Sequence, residues 1–281
     1  MIKVALCCIA KQENEYIREY VEYYKNLGID KIFINDNNDV DGERFEDVIS
    51  DYINSGFVEI IDLRGKIKQQ MPCYQYTYMQ HANEFDWMCF FDCDEFLVLD
   101  KKYKNIKDYL GRKMFDEYGA IYVNWKLYDD NGMLDTDGRP VLERLTHPAD
   151  GQDIENGGNS HVKTIARTKK PLLWVCTPHV PIPSPYYGVK VCNASGTIIL
   201  NTVSPFQKIN HKDAYVKHFS MKTIGEYCRG KMAKGTYPDR DPEDAKRHLT
   251  LTKFFELNTW TKEKEDYANK VVSQGIYCNK Q

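Results

Sequence analysis

Every position from 4 to 9 is apolar (Val4, Ala5, Leu6, Cys7, Cys8, Ile9), the mark of a strand covered on both faces. Apolar and aromatic side chains then recur at 16, 17, 20, 21, 24 and 27, the spacing of a helix over residues 13–27 that Gly28 closes. The alternation continues with a strand at 31–34, a helix at 45–53, a strand at 58–63, a helix at 74–85 and a strand at 87–91 that runs into Asp92. Strand and helix patterns joined by short loops predict parallel βαβ units with right-handed crossovers. Ligands of such sheets bind beyond the carboxyl ends of the strands. The polar residues placed there are Lys11 and Glu13, then Asp36, then Arg64, and finally Asp92 and Asp94.

The second half is less regular. Residues 120–127 and 161–167 read as strands, and 223–232 and 242–255 as helices. Between the first two strands, residues 128–158 are rich in Asp, Gly and Asn, as a long functional loop is. Pro178, Pro181, Pro183 and Pro185 mark an irregular stretch. The division expected is a regular βαβ half over 1–100, a less regular half of the same domain over 101–235, and a helical tail over 236–281.

Composition narrows the classes. With 42% hydrophobic and 28% charged residues the chain is expected to fold throughout, and its formal charge of −3 gives no basic field for nucleic acid. The apolar start is too short for a signal peptide, and no stretch approaches the roughly 18 apolar residues of a membrane span. Nine cysteines without a CxxC pair fit a reducing cytoplasm, with thiols serving as small core residues.

In Asp92-Cys93-Asp94 two carboxylates two residues apart project to one face if the chain stays extended. Oxygen ligands of this kind suit Mg²⁺ or Mn²⁺ and leave coordination positions for phosphate oxygens. With Glu95 next in line, three adjacent acids at a strand end cost energy unless a cation compensates them. Lys11, Arg64, Lys66, Lys68, Lys163 and Arg167 are the basic candidates for a diphosphate. Asp36 can accept from a base N–H or from ribose hydroxyls, and can equally cap a helix or close an Asx turn.

The chain resembles a GT-A-type glycosyltransferase, similar to glycosyltransferase family 92 and its bacterial, family 2-like relatives. The resemblance rests on residues 8–17 with Glu19 and Tyr20, then 34–38, then Gln75, Asp86, Trp87 and 91–97, and runs on through Trp125, 163–167, 179–181, 218–222, Glu226, Tyr227, Arg229 and Gly230. It implies an α/β fold with a Rossmann-like mixed sheet and a UDP-sugar donor, and makes 1–100 the nucleotide-sugar-binding half, 101–235 the acceptor-side half and 236–281 a tail. Asp36 then lies near the nucleoside, and Asp92 and Asp94 near the metal, with His218 as a later metal or diphosphate ligand. His179 is placed at the acceptor cleft or in a turn, and Trp125 on a sugar face or in the core. Where a small Gly-Ser-like turn is expected after Trp125, this chain has Tyr128-Asp129-Asp130-Asn131-Gly132.

An inverting transfer needs a carboxylate to take the acceptor proton. Asp129, Asp130, Asp150, Asp153 and Glu155 all lie in the long loop, and Asp153 and Asp150 are preferred for their Gly-flanked setting. The reading is therefore a metal-dependent hexosyltransferase, galactose being one candidate sugar, that acts on a glycan, polysaccharide or lipid-linked acceptor. Two other classes compete with it. A haloacid-dehalogenase-like phosphatase also uses Asp-x-Asp after a strand, and a nucleotide-sugar-binding module would bind without transfer. Arg240, Lys246, Arg247 and His248, followed by Leu249, Leu251, Phe254, Phe255 and Leu257, form a basic amphipathic pattern that offers peripheral contact with an anionic inner membrane face or packs on its own domain.

Overall fold

The computed structural model describes residues 2–169, 175, 177–181, 189–233 and 250–274. The chain forms two compact units. The first comprises Met1–Lys126 and Asp153–Lys217, the second Leu127–Gln152 and His218–Gln281. The first unit takes in strands from both the 1–100 and the 101–235 segments.

The first unit is built on a mixed sheet. Strands β1 (Val4–Ala10), β2 (Lys31–Asp36), β3 (Val58–Asp62) and β4 (Trp87–Phe90) are parallel neighbours in the order β3-β2-β1-β4. Helices α1 (Ile17–Leu27), α2 (Glu46–Asn54) and α3 (Gln70–His81) are the crossovers. Beyond β4 come β7 (Val162–Arg167) and β6 (Tyr118–Leu127), each antiparallel to the strand before it, then β10 (Ala214–His218) and β5 (Glu95–Leu99). β8 (Lys190–Asn193) pairs with β6, and β9 (Ile198–Ile199) with β8. This is the Rossmann-like mixed α/β sheet that the resemblance implies.

Several boundaries differ from the sequence pattern for physical reasons. β2 continues through Asn35 and Asp36 because Asn35 is satisfied while fully buried, donating to the Cys8 carbonyl at 3.0 Å and accepting from the Thr77 hydroxyl at 3.3 Å. α1 starts at Ile17 rather than Glu13, since Gln12 has φ 56 and residues 13–16 form a turn in which the Glu13 carbonyl accepts from the Tyr16 and Ile17 N–H groups. α3 begins at Gln70, with Pro72 in its first turn where a proline is tolerated. The apolar run after Glu95 is a strand in its own right, β5.

α1 buries Ile17, Tyr20, Val21 and Tyr24, one helical face, against the sheet. Burying each such side chain contributes about 1.5–3 kcal/mol. The tyrosines of this helix also reach backbone around the acid run. Tyr20 donates to the Phe91 carbonyl at 2.6 Å, Tyr24 to the Glu95 carbonyl at 2.8 Å, and Tyr23 to the Leu97 carbonyl at 2.7 Å. The Leu97 N–H returns a bond to the Tyr24 hydroxyl at 3.1 Å.

The second unit contains α5 (Val141–Arg144) inside the long loop, α6 (Ile224–Tyr227) followed by a π-turn at Cys228–Met232, α7 (Leu251–Phe255) and α8 (Lys262–Ser273). The remaining helix, α4 (Ile106–Leu110), belongs to the first unit. Ile224, Tyr227, Cys228, Phe254, Ala268 and Val271 form the core of the second unit. Phe254 of the expected amphipathic segment is therefore core, whereas Arg240, Lys246, Arg247 and His248 lie outside the described residues. Among the described residues no helix is long and apolar enough to cross a membrane.

Candidate functional site

The parallel strand order brings the ends of β2 and β4 to one edge, on either side of β1. At β2, Asp36 and Asn38 are fully buried. One Asp36 oxygen accepts from the Asn38 N–H at 3.0 Å, while the other, Oδ2, has Arg64 Nε at 3.7 Å and accepts no hydrogen bond among the described residues. The Asn38 amide nitrogen and Arg64 Nη1 are likewise buried donors without an acceptor among the described residues. Burial pushes the Asp36 carboxyl above its usual range, and the Asn38 N–H and Arg64 only partly offset this. One open acceptor and two open donors at one strand end are what a base or ribose would satisfy.

Lys11, after β1, pairs with Asp39 at 2.8 Å, and the neighbouring Gln12 N–H donates to the Asn38 side-chain oxygen at 2.8 Å. Glu13 sits half-buried in the turn that leads to α1. Arg64 is held chiefly by Asp62 at 3.1 Å.

At β4 the acids are arranged differently. Asp92 accepts from the Tyr74 hydroxyl at 3.0 Å on one oxygen and from the Lys163 ammonium at 2.5 Å on the other. Lys163 is fully buried on β7 and also contacts Glu95 at 3.2 Å, and Glu95 takes the Asp92 N–H at 2.9 Å. Burial raises the Asp92 carboxyl, but Lys163 overrides it and leaves Asp92 below its usual range. Burial pushes Glu95 up to about 8 against the opposing Lys163 charge, with Asp92 and Asp94 adding to the rise. Burial pulls the Lys163 ammonium down, and Asp92 and Glu95 reverse this. Asp94 is buried, and Asp94 and Glu95 each offer a carboxylate oxygen within 4.8 Å of the other. Two hard oxygen donors so close fit a divalent cation. His218 closes β10.

Trp125 stands beside His161, with ring centroids 4.5 Å apart, and beside His179 at 5.4 Å. His179 bonds the Val162 carbonyl at 2.9 Å through Nδ1, and burial followed by the Lys163 charge drives its pKa down to about 3. Asp153 is exposed and accepts from the Asn159 amide at 2.7 Å, and Asp150 is exposed in the second unit. Asp130 is buried in the second unit and paired with Lys264 at 2.5 Å, and Asp129 caps a turn by accepting from the Asn131 N–H at 2.8 Å. Sequence reasoning did not single out Tyr74 or Asn38, nor the link between Glu95 and Lys163. Asn38 lay in view in the polar string after β2, whereas nothing local marks Tyr74.

The chain matches glycosyltransferase family 92 over residues 3–172, more than half of its length. A family 92 protein of Oryza sativa subsp. japonica is 27% identical over 94 residues, 34% of this chain and 16% of that protein. One of Ricinus communis is 25% identical over 97 residues, 34% of this chain and 17% of that protein. The matched segments thus span about a sixth of those relatives. Among solved structures, S. aureus TarS 1-349 in complex with UDP-GlcNAc is similar at TM-score 0.42 and 12% identity, covering 98% of this chain and 82% of that one. The TarS 1-349 complex with UDP is similar at TM-score 0.36 and 15% identity, covering 59% and 47%. Overall likeness that loose carries no argument, and the assignment rests on the family match: this chain belongs to glycosyltransferase family 92.

Proposed function

We propose that the protein transfers a hexose, galactose being one candidate, from a UDP-sugar to a glycan, polysaccharide or lipid-linked acceptor, with inversion at the anomeric carbon. The observation that carries this reading is the pair of strand ends flanking β1. One presents the open Asp36 oxygen with the Asn38 and Arg64 donors, and the other presents Asp94 and Glu95 side by side. Uracil offers an imide N–H between two carbonyl oxygens, the complement of an acceptor flanked by donors. Arg64 is carried as a donor to the base and Lys11 as a cation for the diphosphate, with Glu13 in the turn before α1.

The cation, Mn²⁺ or Mg²⁺, is assigned to Asp94 with Glu95, the engaged Asp92 beside them, and His218 is carried from the family resemblance as a further metal or diphosphate ligand. When bound it would supply charge neutralisation for the leaving diphosphate. Asp92 is oriented by Lys163 and Tyr74, so that acid is pre-set rather than mobile. Asp153 and Asp150 are carried as the groups that take the acceptor proton.

The test is release of UDP from a panel of UDP-sugars, with glycan acceptors present or absent and with Mn²⁺ or a chelator. Acceptor-stimulated UDP release that depends on Mn²⁺ is the expected outcome. Release of inorganic phosphate from phosphate esters instead would support the dehalogenase-like phosphatase, and binding without turnover of any sugar would support a binding module.

A further inference from the structure

Lysine is rarely fully buried unless it is paired. Lys163 is fully buried and touches two carboxylates of one acid run, Asp92 at 2.5 Å and Glu95 at 3.2 Å. Tyr74 occupies the second Asp92 oxygen at 3.0 Å, so both oxygens of that carboxylate are engaged from inside the protein. Asp92 and Lys163 lie 71 residues apart, and sheet pairing brings them together: β4 and β7 are antiparallel neighbours, with Cys89 opposite Ile165. The remaining acid, Asp94, keeps a carboxylate oxygen within 4.8 Å of one on Glu95. An ammonium fixed beside these acids balances part of their charge in the absence of any ligand and repels a divalent cation that approaches the same group.

From these distances we propose that Lys163 is a positioning residue that acts as a built-in counter-cation. With Tyr74 it pins Asp92, and its charge holds down the affinity of the acid run for a divalent cation, so that the cation binds firmly only together with a diphosphate that adds negative charge. The affinity half rests on the divalent-cation reading above, whereas the charge-balancing half does not.

Four proteins test it: the wild type, Lys163→Met, Lys163→Arg, and Lys163→Met combined with Asp92→Asn. Thermal midpoints are read without divalent ions, and Mn²⁺ dissociation constants are read without nucleotide from the electron paramagnetic resonance of free Mn²⁺. Lys163→Met is expected to lose about 5 °C or more, since one partner of a buried pair is removed, and the double variant to regain most of it. Lys163→Met should also bind Mn²⁺ about 5-fold tighter than the wild type, with Lys163→Arg close to the wild type. A role in packing alone would not tighten Mn²⁺ binding. Mn²⁺ binding no tighter in Lys163→Met, or no recovery in the double variant, overturns the proposal. If Lys163→Met does not fold while the double variant does, that counts as recovery. If no protein binds Mn²⁺, the cation reading falls and the affinity half with it, and recovery or its absence then decides the charge-balancing role by itself.

Discussion

Two strand ends of the same sheet carry buried acids and treat them in opposite ways. At β2, Asp36 is left with an oxygen that accepts no hydrogen bond among the described residues, and its nearest cation, Arg64, stands off at 3.7 Å. At β4, Asp92 has a hydroxyl on one oxygen and an ammonium on the other at 2.5 Å. The first arrangement leaves hydrogen-bonding capacity at a buried carboxylate, and such capacity is costly unless a partner satisfies it. In the second, both oxygens are engaged by Tyr74 and Lys163. A third buried acid, Glu226 in the second unit, is closed more completely still. Arg144 donates to both of its oxygens, one at 2.8 Å, and the Thr223 hydroxyl donates at 2.6 Å. Both Glu226 oxygens are thus taken by groups of the second unit itself.

Four substitutions separate these behaviours. Asp94→Ala should have the largest effect, cutting donor turnover by about 1,000-fold or more, as expected when several kcal/mol of charge stabilisation is lost. The check is UDP release at saturating donor, and residual turnover within about 10-fold of the wild type would remove Asp94 from the site. Arg144→Ala is expected to cost roughly 3–5 kcal/mol of stability, because it leaves Glu226 charged and unpartnered, and to leave donor affinity in the folded fraction unchanged. Urea denaturation and calorimetry read the two quantities. Asp36→Asn should weaken UDP binding by about 30-fold, the scale of losing one hydrogen bond to a charged acceptor, while the thermal midpoint holds or rises. The smallest effect is assigned to Tyr24→Phe. Losing its bonds to Glu95 and Leu97 costs about 1–2 kcal/mol of stability and loosens the turn that carries the acids.

The Glu226 pair also fixes a pH dependence. Burial pushes the Glu226 carboxyl up, but its bonds to Arg144 and Thr223 bring it below the ordinary glutamate value. A group with a depressed folded pKa binds its proton more readily when unfolded, so its contribution is present above the unfolded value of about 4.3 and is lost as pH falls through the folded one. The urea midpoint of the second unit should drop as pH is lowered from 7 toward 3, and Glu226→Gln should flatten that part of the profile. An unchanged slope in that variant would assign the acid sensitivity elsewhere.

How far these features were legible in the sequence depended on range. The strands at 4–9, 58–63 and 87–91 and the helix spacing of Tyr20, Val21 and Tyr24 are local signals, and they appear where the pattern placed them. The strand-end positions of Asp36 and Asp92 are legible because βαβ alternation puts those ends on one edge. β5 was not read as a strand, since five residues after an acidic turn carry too little periodicity, and its sheet neighbour β10 lies more than a hundred residues away. Charge alone makes Lys163 a diphosphate candidate, and its pairing with Asp92 and Glu95 is hidden because those carboxylates are remote in sequence. Asp130 is a candidate base by its place in the long loop, and its pairing with Lys264 is likewise hidden by distance along the chain. The start of α3 is not legible because Gln69 makes no side-chain cap to mark it.

The most direct test of the account is calorimetric binding of UDP to the wild type and to Asp94→Ala, each with Mn²⁺ and with chelator. Mn²⁺ is expected to tighten UDP binding by the wild type about 10-fold or more and to add nothing in Asp94→Ala, where the weaker binding through Asp36 persists. Equal UDP affinity in the wild type with Mn²⁺ and with chelator would contradict it.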